Sequence, residues 1–99
     1  MKLPQECRNL EEIRQQIDEI DQIIIEMIGN RFSYIKEIVR FKSNADEVYA
    51  KNRYHEVIRR RREIAALHHL DPDVIENIYK ILMEYFIREQ LELLKIKQK

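Results

Sequence analysis

The sequence has few of the residues that build turns, cross-links and membrane spans. Its 99 residues include one glycine, two prolines, one cysteine and no tryptophan. Sheet-rich folds place glycine and proline at their many turns, so this scarcity favours an all-helical chain. The lone Cys7 excludes a disulfide within the chain and indicates a reducing compartment. No uninterrupted apolar run approaches the roughly 18 residues that a membrane span requires.

The chain also has no net charge, because 18 lysines and arginines balance 18 aspartates and glutamates. Without a global field, nothing attracts nucleic acid or an anionic membrane nonspecifically. The first residues lack the apolar core of a signal peptide, and the length suits a single domain over residues 1–99. We therefore expect a cytosolic protein with no nucleic-acid or membrane partner, in which any anion site is made by locally placed cations.

The longest periodic stretch runs from Asn9 to about Lys42 and contains no proline. Apolar residues recur along it at steps of three and four, which predicts one long amphipathic helix with Asn9 as its N-cap. An alternative places a turn at Gly29 and Asn30 and makes a helical hairpin. The apolar phase passes through this pair without a slip, and one interior glycine costs only about 1 kcal/mol. The continuous helix is therefore favoured.

Two cations, Arg31 and Lys42, fall on the apolar stripe of this helix. A charged side chain is rarely buried without a partner, so the stripe faces either water or an anion at these positions. Eleven residues apart on an ideal helix, the two side chains lie about 20° apart in azimuth and about 16 Å along the axis. Long side chains at this spacing could hold a small dianion between them.

The predicted helix is about 50 Å long, which exceeds the core of a 99-residue monomer with a radius of gyration near 13 Å. We therefore expect a second chain to cover the apolar face along the rest of this helix. Arg14 lies about 25 Å from Arg31 along the same helix and cannot reach the same small ligand. In an antiparallel dimer, however, Arg14 of one chain is carried toward Arg31 of the other.

The rest of the chain predicts two further helices. Residues 43–51 break the periodicity and are predicted to form a loop with at most a frayed turn, after which a second helix runs from about Asn52 to the His68 region. Asp71 followed by Pro72 is a strong start for the third helix. On that helix Gln90 lies between apolar positions of one stripe, as a neutral amide where a hydrophobic side chain is expected.

Two other clusters have ordinary structural explanations. The four arginines at 59–62 resemble a phosphate-binding patch, but successive helical residues point to all faces, and Glu56 and Glu63 are within pairing distance. His68 and His69 point about 100° apart on a helix, so they cannot grip one metal ion from there. We interpret the arginines as a solvated face and the histidines as helix-end residues near the negative dipole. No zinc, P-loop, dinucleotide or nucleophilic-triad spacing occurs.

The pattern LxxIRxxIDxID at residues 10–21, followed by Arg31, Lys42, Arg53 and Gln90, resembles the all-helical chorismate mutases. Within that family the opening MKxPxxC and the loop length between Lys42 and Arg53 are most similar to the isochorismate-pyruvate lyases. The resemblance covers nearly the whole chain. It implies an intertwined homodimer of three-helix chains, with two active sites that each take residues from both protomers.

The resemblance also implies the roles of individual residues. Arg14 from the partner chain and Arg31 would bind the substrate's two carboxylates, with Arg53 as a further carboxylate ligand. Lys42 and Gln90 would be the catalytic pair beside the ether oxygen. Further substrate contacts are implied for three apolar residues: Ile35, Val57 and Ile87. The implied substrates are isochorismate and chorismate, and no metal or organic cofactor is implied.

Three functions remain open from the sequence. The mutases typically carry a glutamate directly after the arginine that opens helix 2, where this chain has Tyr54, and an earlier acidic residue is matched by Ala50. These differences favour the lyase, with weak mutase activity alongside it, over a chorismate mutase. The third function is a non-catalytic helical dimerisation module, in which Arg31 and Lys42 pair with carboxylates such as Glu37 or Asp46.

Overall fold

The computed structural model describes residues 1–98, and helices are the only regular elements among them. Four α-helices follow in chain order: α1 (Leu10–Ile38), α2 (Ala45–Tyr49), α3 (Lys51–Leu67) and α4 (Pro72–Lys97). Two short 3₁₀ turns, Pro4–Glu6 and Val39–Phe41, lie before and after α1. The predicted all-helical class is confirmed. Within residues 1–98 no helix is both long and apolar enough to cross a membrane.

The start of α1 agrees with the predicted cap. The Asn9 side chain accepts a hydrogen bond from the Glu12 backbone N–H at 2.9 Å, and the Glu12 carboxylate accepts one from the Arg8 N–H at 2.7 Å. Glu12 also pairs with Lys2 at 3.2 Å. The Arg8 contact is the main reason that the pKa of Glu12 lies below its ordinary value. The helix then runs through Gly29 without interruption, so the predicted continuous helix is confirmed there.

The predicted C-terminal end of the first helix is wrong. The α-helix ends at Ile38, the 3₁₀ turn Val39–Phe41 follows, and Lys42 adopts an extended conformation with φ −109° and ψ 140°. Val39 is buried against Val48 and Leu94, and this nonlocal packing holds the turn. The ideal-helix spacing between Arg31 and Lys42 therefore does not apply.

Residues 43–51 contain a five-residue helix, α2, where the sequence predicts a loop with at most a frayed turn. The Asn44 side chain accepts from the Glu47 N–H at 2.9 Å, and the Glu47 carboxylate accepts from the Ser43 N–H at 2.7 Å. This arrangement repeats the cap of α1. Ala50, with φ 42°, turns the chain from α2 directly into α3, which begins one residue earlier than predicted.

The structure divides into two compact units, Met1–Tyr34 and a second unit that begins at Ile35. In the second unit α4 is the central element, since α3, α2 and the Val39–Phe41 turn all contact it. It begins at the predicted cap, where the Asp71 side chain accepts from the Asp73 N–H at 2.9 Å. The core of this unit contains Val39, Val48 and Leu94.

Candidate active site

Lys42 lies at the junction between the 3₁₀ turn and α2. Its backbone N–H donates to the Val39 carbonyl at 3.1 Å, and its side chain is half-buried. No carboxylate among residues 1–98 lies within ion-pair distance of its ammonium. Neither of the two carboxylates named above as partners pairs with Lys42. Glu37 accepts a hydrogen bond from Arg40 at 2.8 Å, and Asp46 lies in the first turn of α2.

Gln90 is the one buried polar side chain among the described residues, with 6% of its surface exposed. It lies on α4 between Phe86 and Leu94, which are also buried. Among residues 1–98 its side-chain amide has no hydrogen-bond partner. The amide atoms still reach the surface, so a ligand oxygen or hydroxyl can complete the hydrogen bond there.

The remaining candidates of the second unit lie on the helices around α4. Arg53 is in the first turn of α3, mostly exposed, with a long 3.8 Å contact to Glu56. Glu56 is closer to Arg60, at 2.9 Å, so Arg53 is only loosely held. Val57 follows one turn later and is buried. Ile87 is half-buried and packs against the core formed by Val39, Val48 and Leu94. Ile35 is half-buried at the start of this unit.

Arg14 and Arg31 belong to the first unit. Both lie on α1, where Arg14 is exposed and Arg31 is partly buried. None of the residues of α1, all of which the structure describes, is fully buried. The structure therefore assigns Arg14 and Arg31 to one unit and Lys42, Arg53 and Gln90 to the other, and within the second unit the last three lie on or beside α4.

Two residues near the C-terminal end of α4 were missed by the sequence reasoning. The Lys97 ammonium donates to the backbone carbonyls of Val39, Arg40 and Lys42, at 3.1, 3.2 and 2.8 Å. The Gln98 amide donates to the carbonyl of Ser43 at 2.8 Å. Their partners lie 55 or more residues away in sequence, so no local sequence pattern predicts these contacts.

The arginines at 59–62 on α3 are used in side-chain contacts: three of them make ion pairs, and Arg61 lies over the ring of Tyr79 of α4, 5.5 Å from its centroid. Arg59 pairs with Glu63 and Arg60 pairs with Glu56, each at 2.9 Å. Arg62 differs, because it crosses to α4 and contacts Asp73 at 2.8 Å and Glu76 at 3.2 Å. No group of three or more potential metal ligands forms among residues 1–98.

Comparisons with known proteins agree with the residue pattern. Residues 13–91 match the family model described as chorismate mutase type II. The chain is 32% identical to the isochorismate pyruvate lyase of Pseudomonas aeruginosa over 92 residues, which covers 93% of this chain and 91% of that protein. It is 31% identical to the chorismate mutase of Methanocaldococcus jannaschii over 77 residues, covering 77% of this chain and 78% of that protein.

Proposed function

The chain belongs to the chorismate mutase type II family, and on that premise we propose that it is an isochorismate-pyruvate lyase. The reaction breaks the ether C–O bond of isochorismate and moves one ring hydrogen to the enolpyruvyl methylene carbon. The products are salicylate, whose ring becomes aromatic, and pyruvate, so atoms balance without water or a cofactor. We place this step of salicylate biosynthesis in the cytosol, where a lone thiol such as that of Cys7 stays reduced.

The observation that carries this proposal is the placement of Lys42. Lys42 is half-buried, and its ammonium has no counter-ion among residues 1–98, although Glu37 and Asp46 are close in sequence. A cation kept without an internal partner can face the negative charge that develops on the ether oxygen as the C–O bond breaks. A non-catalytic dimerisation module would instead pair Lys42 with one of those carboxylates.

Gln90 supports the same reaction type. A concerted rearrangement needs no nucleophile, general base or metal, so catalysis must come from holding the reactive conformer and from placed positive charge. Orientation alone can contribute about 7–11 kcal/mol in well-positioned systems. The Gln90 amide, 6% exposed and without an internal hydrogen-bond partner among residues 1–98, is suited to donate to the ether oxygen beside Lys42.

The arginines are proposed to bind the two carboxylates of the substrate. Arg31 and the Arg14 of the partner protomer take one carboxylate each, and Arg53 assists. Guanidinium groups make bidentate, charge-assisted contacts with planar carboxylates, which lysines cannot reproduce. The loosely paired state of Arg53 supports this role, because a contact of 3.8 Å to Glu56 is easily exchanged for a substrate carboxylate. Ile35, Val57 and Ile87 are proposed to contact the apolar parts of the substrate.

An intertwined homodimer is part of the proposal. The large apolar side chains along the first five turns of α1 are exposed in the single chain. They are Leu10, Ile13, Ile17, Ile20, Ile23, Ile24, Ile25 and Met27. Fully burying one isoleucine contributes about 1.5–3 kcal/mol. Covering these side chains with a second copy therefore stabilises the dimer substantially. Such pairing also allows Arg14 to serve the neighbouring site.

Chorismate mutase activity is the second candidate function. The 31% identity to the mutase of M. jannaschii favours it. Against it, Tyr54 stands where the mutases typically have a glutamate that binds the ring hydroxyl. Tyr54 lies in the first turns of α3, half-buried with its ring edge against His55. We therefore propose the lyase as the main activity, with weak mutase activity alongside.

One assay separates these functions. The protein is incubated with isochorismate and, separately, with chorismate, and pyruvate with salicylate is measured against prephenate. We expect faster release of pyruvate and salicylate from isochorismate than formation of prephenate from chorismate. The reverse ranking would identify a mutase. If the protein turns over neither substrate, the enzyme assignment is refuted and the non-catalytic dimerisation module is the remaining function.

A further inference from the structure

The C-terminal end of α4 holds the segment that carries Lys42. Three carbonyls of residues 39–42 converge on the ammonium of Lys97, at 3.1, 3.2 and 2.8 Å. The shortest of these contacts is to the carbonyl of Lys42 itself. The Gln98 amide adds a fourth contact, to the carbonyl of Ser43 at 2.8 Å. The backbone on both sides of the Lys42 side chain is thus bonded to α4.

The chemistry of the two partners explains this cluster. Carbonyls at the C-terminal end of a helix carry the negative end of its dipole. The Val39 carbonyl also accepts from the Lys42 N–H and has a second lone pair for Lys97. A lysine ammonium has three N–H donors and no acceptor, so three carbonyls saturate it. Lys97 makes no ion pair among residues 1–98, and its ammonium donates there only to backbone carbonyls.

The contacts of Lys97 and Gln98 with the backbone of residues 39–43, called the clamp below, are anchored in the core of the second unit. Leu94, one turn before Lys97, is 5% exposed and packs against Val39 and Val48. Val39 begins the turn whose carbonyls Lys97 holds. The side chain of Val39 and the backbone of Lys42 are therefore both fixed relative to α4.

We propose that Lys97 is a positioning residue for Lys42: its ammonium fixes the 39–42 backbone so that the Lys42 charge is held where the transition state needs it. This inference rests on the proposed function. Electrostatic catalysis depends on groups that are already oriented before the reaction. The family model matches residues 13–91 only, so Lys97 and Gln98 lie outside the matched region.

The test compares Lys97→Met, which keeps the aliphatic stem and removes the donors, with Lys97→Arg, which keeps charge and donors. For Lys97→Met we expect kcat on isochorismate to fall about tenfold or more, since small misplacements of a catalytic group are costly. KM should change much less, because the carboxylate ligands are untouched. Lys97→Arg should restore most of kcat.

Lys95→Met is the matched control. Lys95 lies in the same last turn and carries the same charge, but its contact is an exposed pair with Glu92 at 3.3 Å. Its substitution should leave kcat within about twofold of wild type. An unchanged kcat in Lys97→Met, an equal loss in Lys95→Met, or failure of Lys97→Arg to restore kcat would each overturn the positioning role.

Amide hydrogen exchange provides a readout that does not require turnover. The Lys42 N–H bonds to the Val39 carbonyl and the Ser43 N–H bonds to Glu47, so both amides report on this segment. They should exchange faster in Lys97→Met than in wild type and be unchanged in Lys95→Met. Unchanged exchange in Lys97→Met would overturn the clamp. A wild-type protein without turnover would refute the proposed function, and this exchange comparison would still decide the clamp.

Discussion

At the scale of single residues, Lys42 and Gln90 are the two side chains whose surroundings differ most from ordinary surface or core positions. Lys42 is half-buried and has no counter-ion among residues 1–98, and Gln90 is 6% exposed and makes no side-chain hydrogen bond there. Both side chains therefore keep hydrogen-bonding capacity that a ligand can use.

For Lys42→Ala we expect kcat on isochorismate to fall about 100- to 1,000-fold, the usual effect of losing one group that stabilises transition-state charge. KM should change little, since the charge matters most as the ether bond breaks. Steady-state kinetics measures both. Arg40→Ala is the control, because it removes a nearby cation whose contact is the exposed Glu37. An effect confined to KM would contradict the assigned role of Lys42.

Gln90→Leu should separate stability from activity. Leucine has a similar size and places an apolar side chain in this mostly buried position, so the free energy of unfolding should not fall, while kcat should fall. Denaturant unfolding and steady-state kinetics measure the two quantities. Leu91→Ala, on the same helix, is a contrasting variant that should lose stability by removing half-buried apolar volume. A stability loss in Gln90→Leu would show that the amide is already satisfied in the free protein.

His69 occupies the left-handed position after α3, with φ 60°. The Leu70 N–H bonds to the Ala65 carbonyl at 2.9 Å and the His69 N–H to the Ala66 carbonyl at 3.2 Å, which is a Schellman motif. Glycine is preferred there, so His69→Gly should raise stability by up to about 1 kcal/mol, or a few degrees in Tm. His68→Gly, at an ordinary φ of −102°, should give no such gain. Equal effects of the two substitutions would contradict this account.

At the scale of elements, α3 and α4 are joined by a cluster of charges as well as by apolar contacts. Arg62 of α3 contacts Asp73 and Glu76 of α4, and Glu76 also pairs with Lys80 at 2.9 Å. The hydrogen bond from Lys80 is the largest cause that lowers the pKa of Glu76, and Arg62 adds to it. The same bond raises the pKa of Lys80.

This cluster should make stability depend on pH on the acid side. Because the pKa of Glu76 is lower in the folded chain than its ordinary value of 4.5, its contribution is present above that pH. It is lost as pH falls through the folded-state pKa, so stability should decline as pH falls below about 4.5. Glu76→Gln should show a shallower decline in denaturant unfolding over this range.

Glu63→Gln is the control for the pH dependence. Glu63 makes only an exposed pair with Arg59 on the same helix, and such pairs contribute little to stability. Its acid-side decline should match that of wild type. If Glu76→Gln and wild type lose stability in parallel, the α3–α4 cluster does not contribute to the pH dependence.

At the scale of the whole molecule, the apolar side chains along the first five turns of α1 are left exposed by the single chain. The helix has 29 residues and is about 44 Å long. Because exposed apolar patches of this size usually mark interaction sites, a second copy is the proposed cover. The dimer and the shared site can be tested together.

Inactive Arg14→Ala and inactive Lys42→Ala proteins, mixed and allowed to exchange subunits, should regain activity. If Arg14 serves the neighbouring site, each mixed dimer has one intact site, and a one-to-one mixture should reach about a quarter of wild-type activity. Native mass spectrometry verifies that mixed dimers have formed. Mixed dimers without activity would place Arg14 and Lys42 of one chain in the same site.

Local sequence patterns were sufficient to predict most of the elements. The apolar period predicts α1 through Gly29, and the Asp71–Pro72 pair predicts the start of α4. The repeated Asn-x-x-Glu spacing at Asn44 and Glu47 could have revealed α2 as well, since it matches the cap at Asn9. Five residues are too few for periodicity to register, which is why the segment was predicted as a loop.

The sequence by itself determined the helical class, the family pattern and the residue types of the candidate site, because all of these depend on neighbours within a few turns. Only the tertiary structure decided where α1 ends and how Lys42 is held. The end at Ile38 depends on Val39 packing against Val48 and Leu94, and on carbonyls bonded to Lys97. The contacts with Leu94 and Lys97 join residues more than fifty positions apart, and they exist only after the chain has folded.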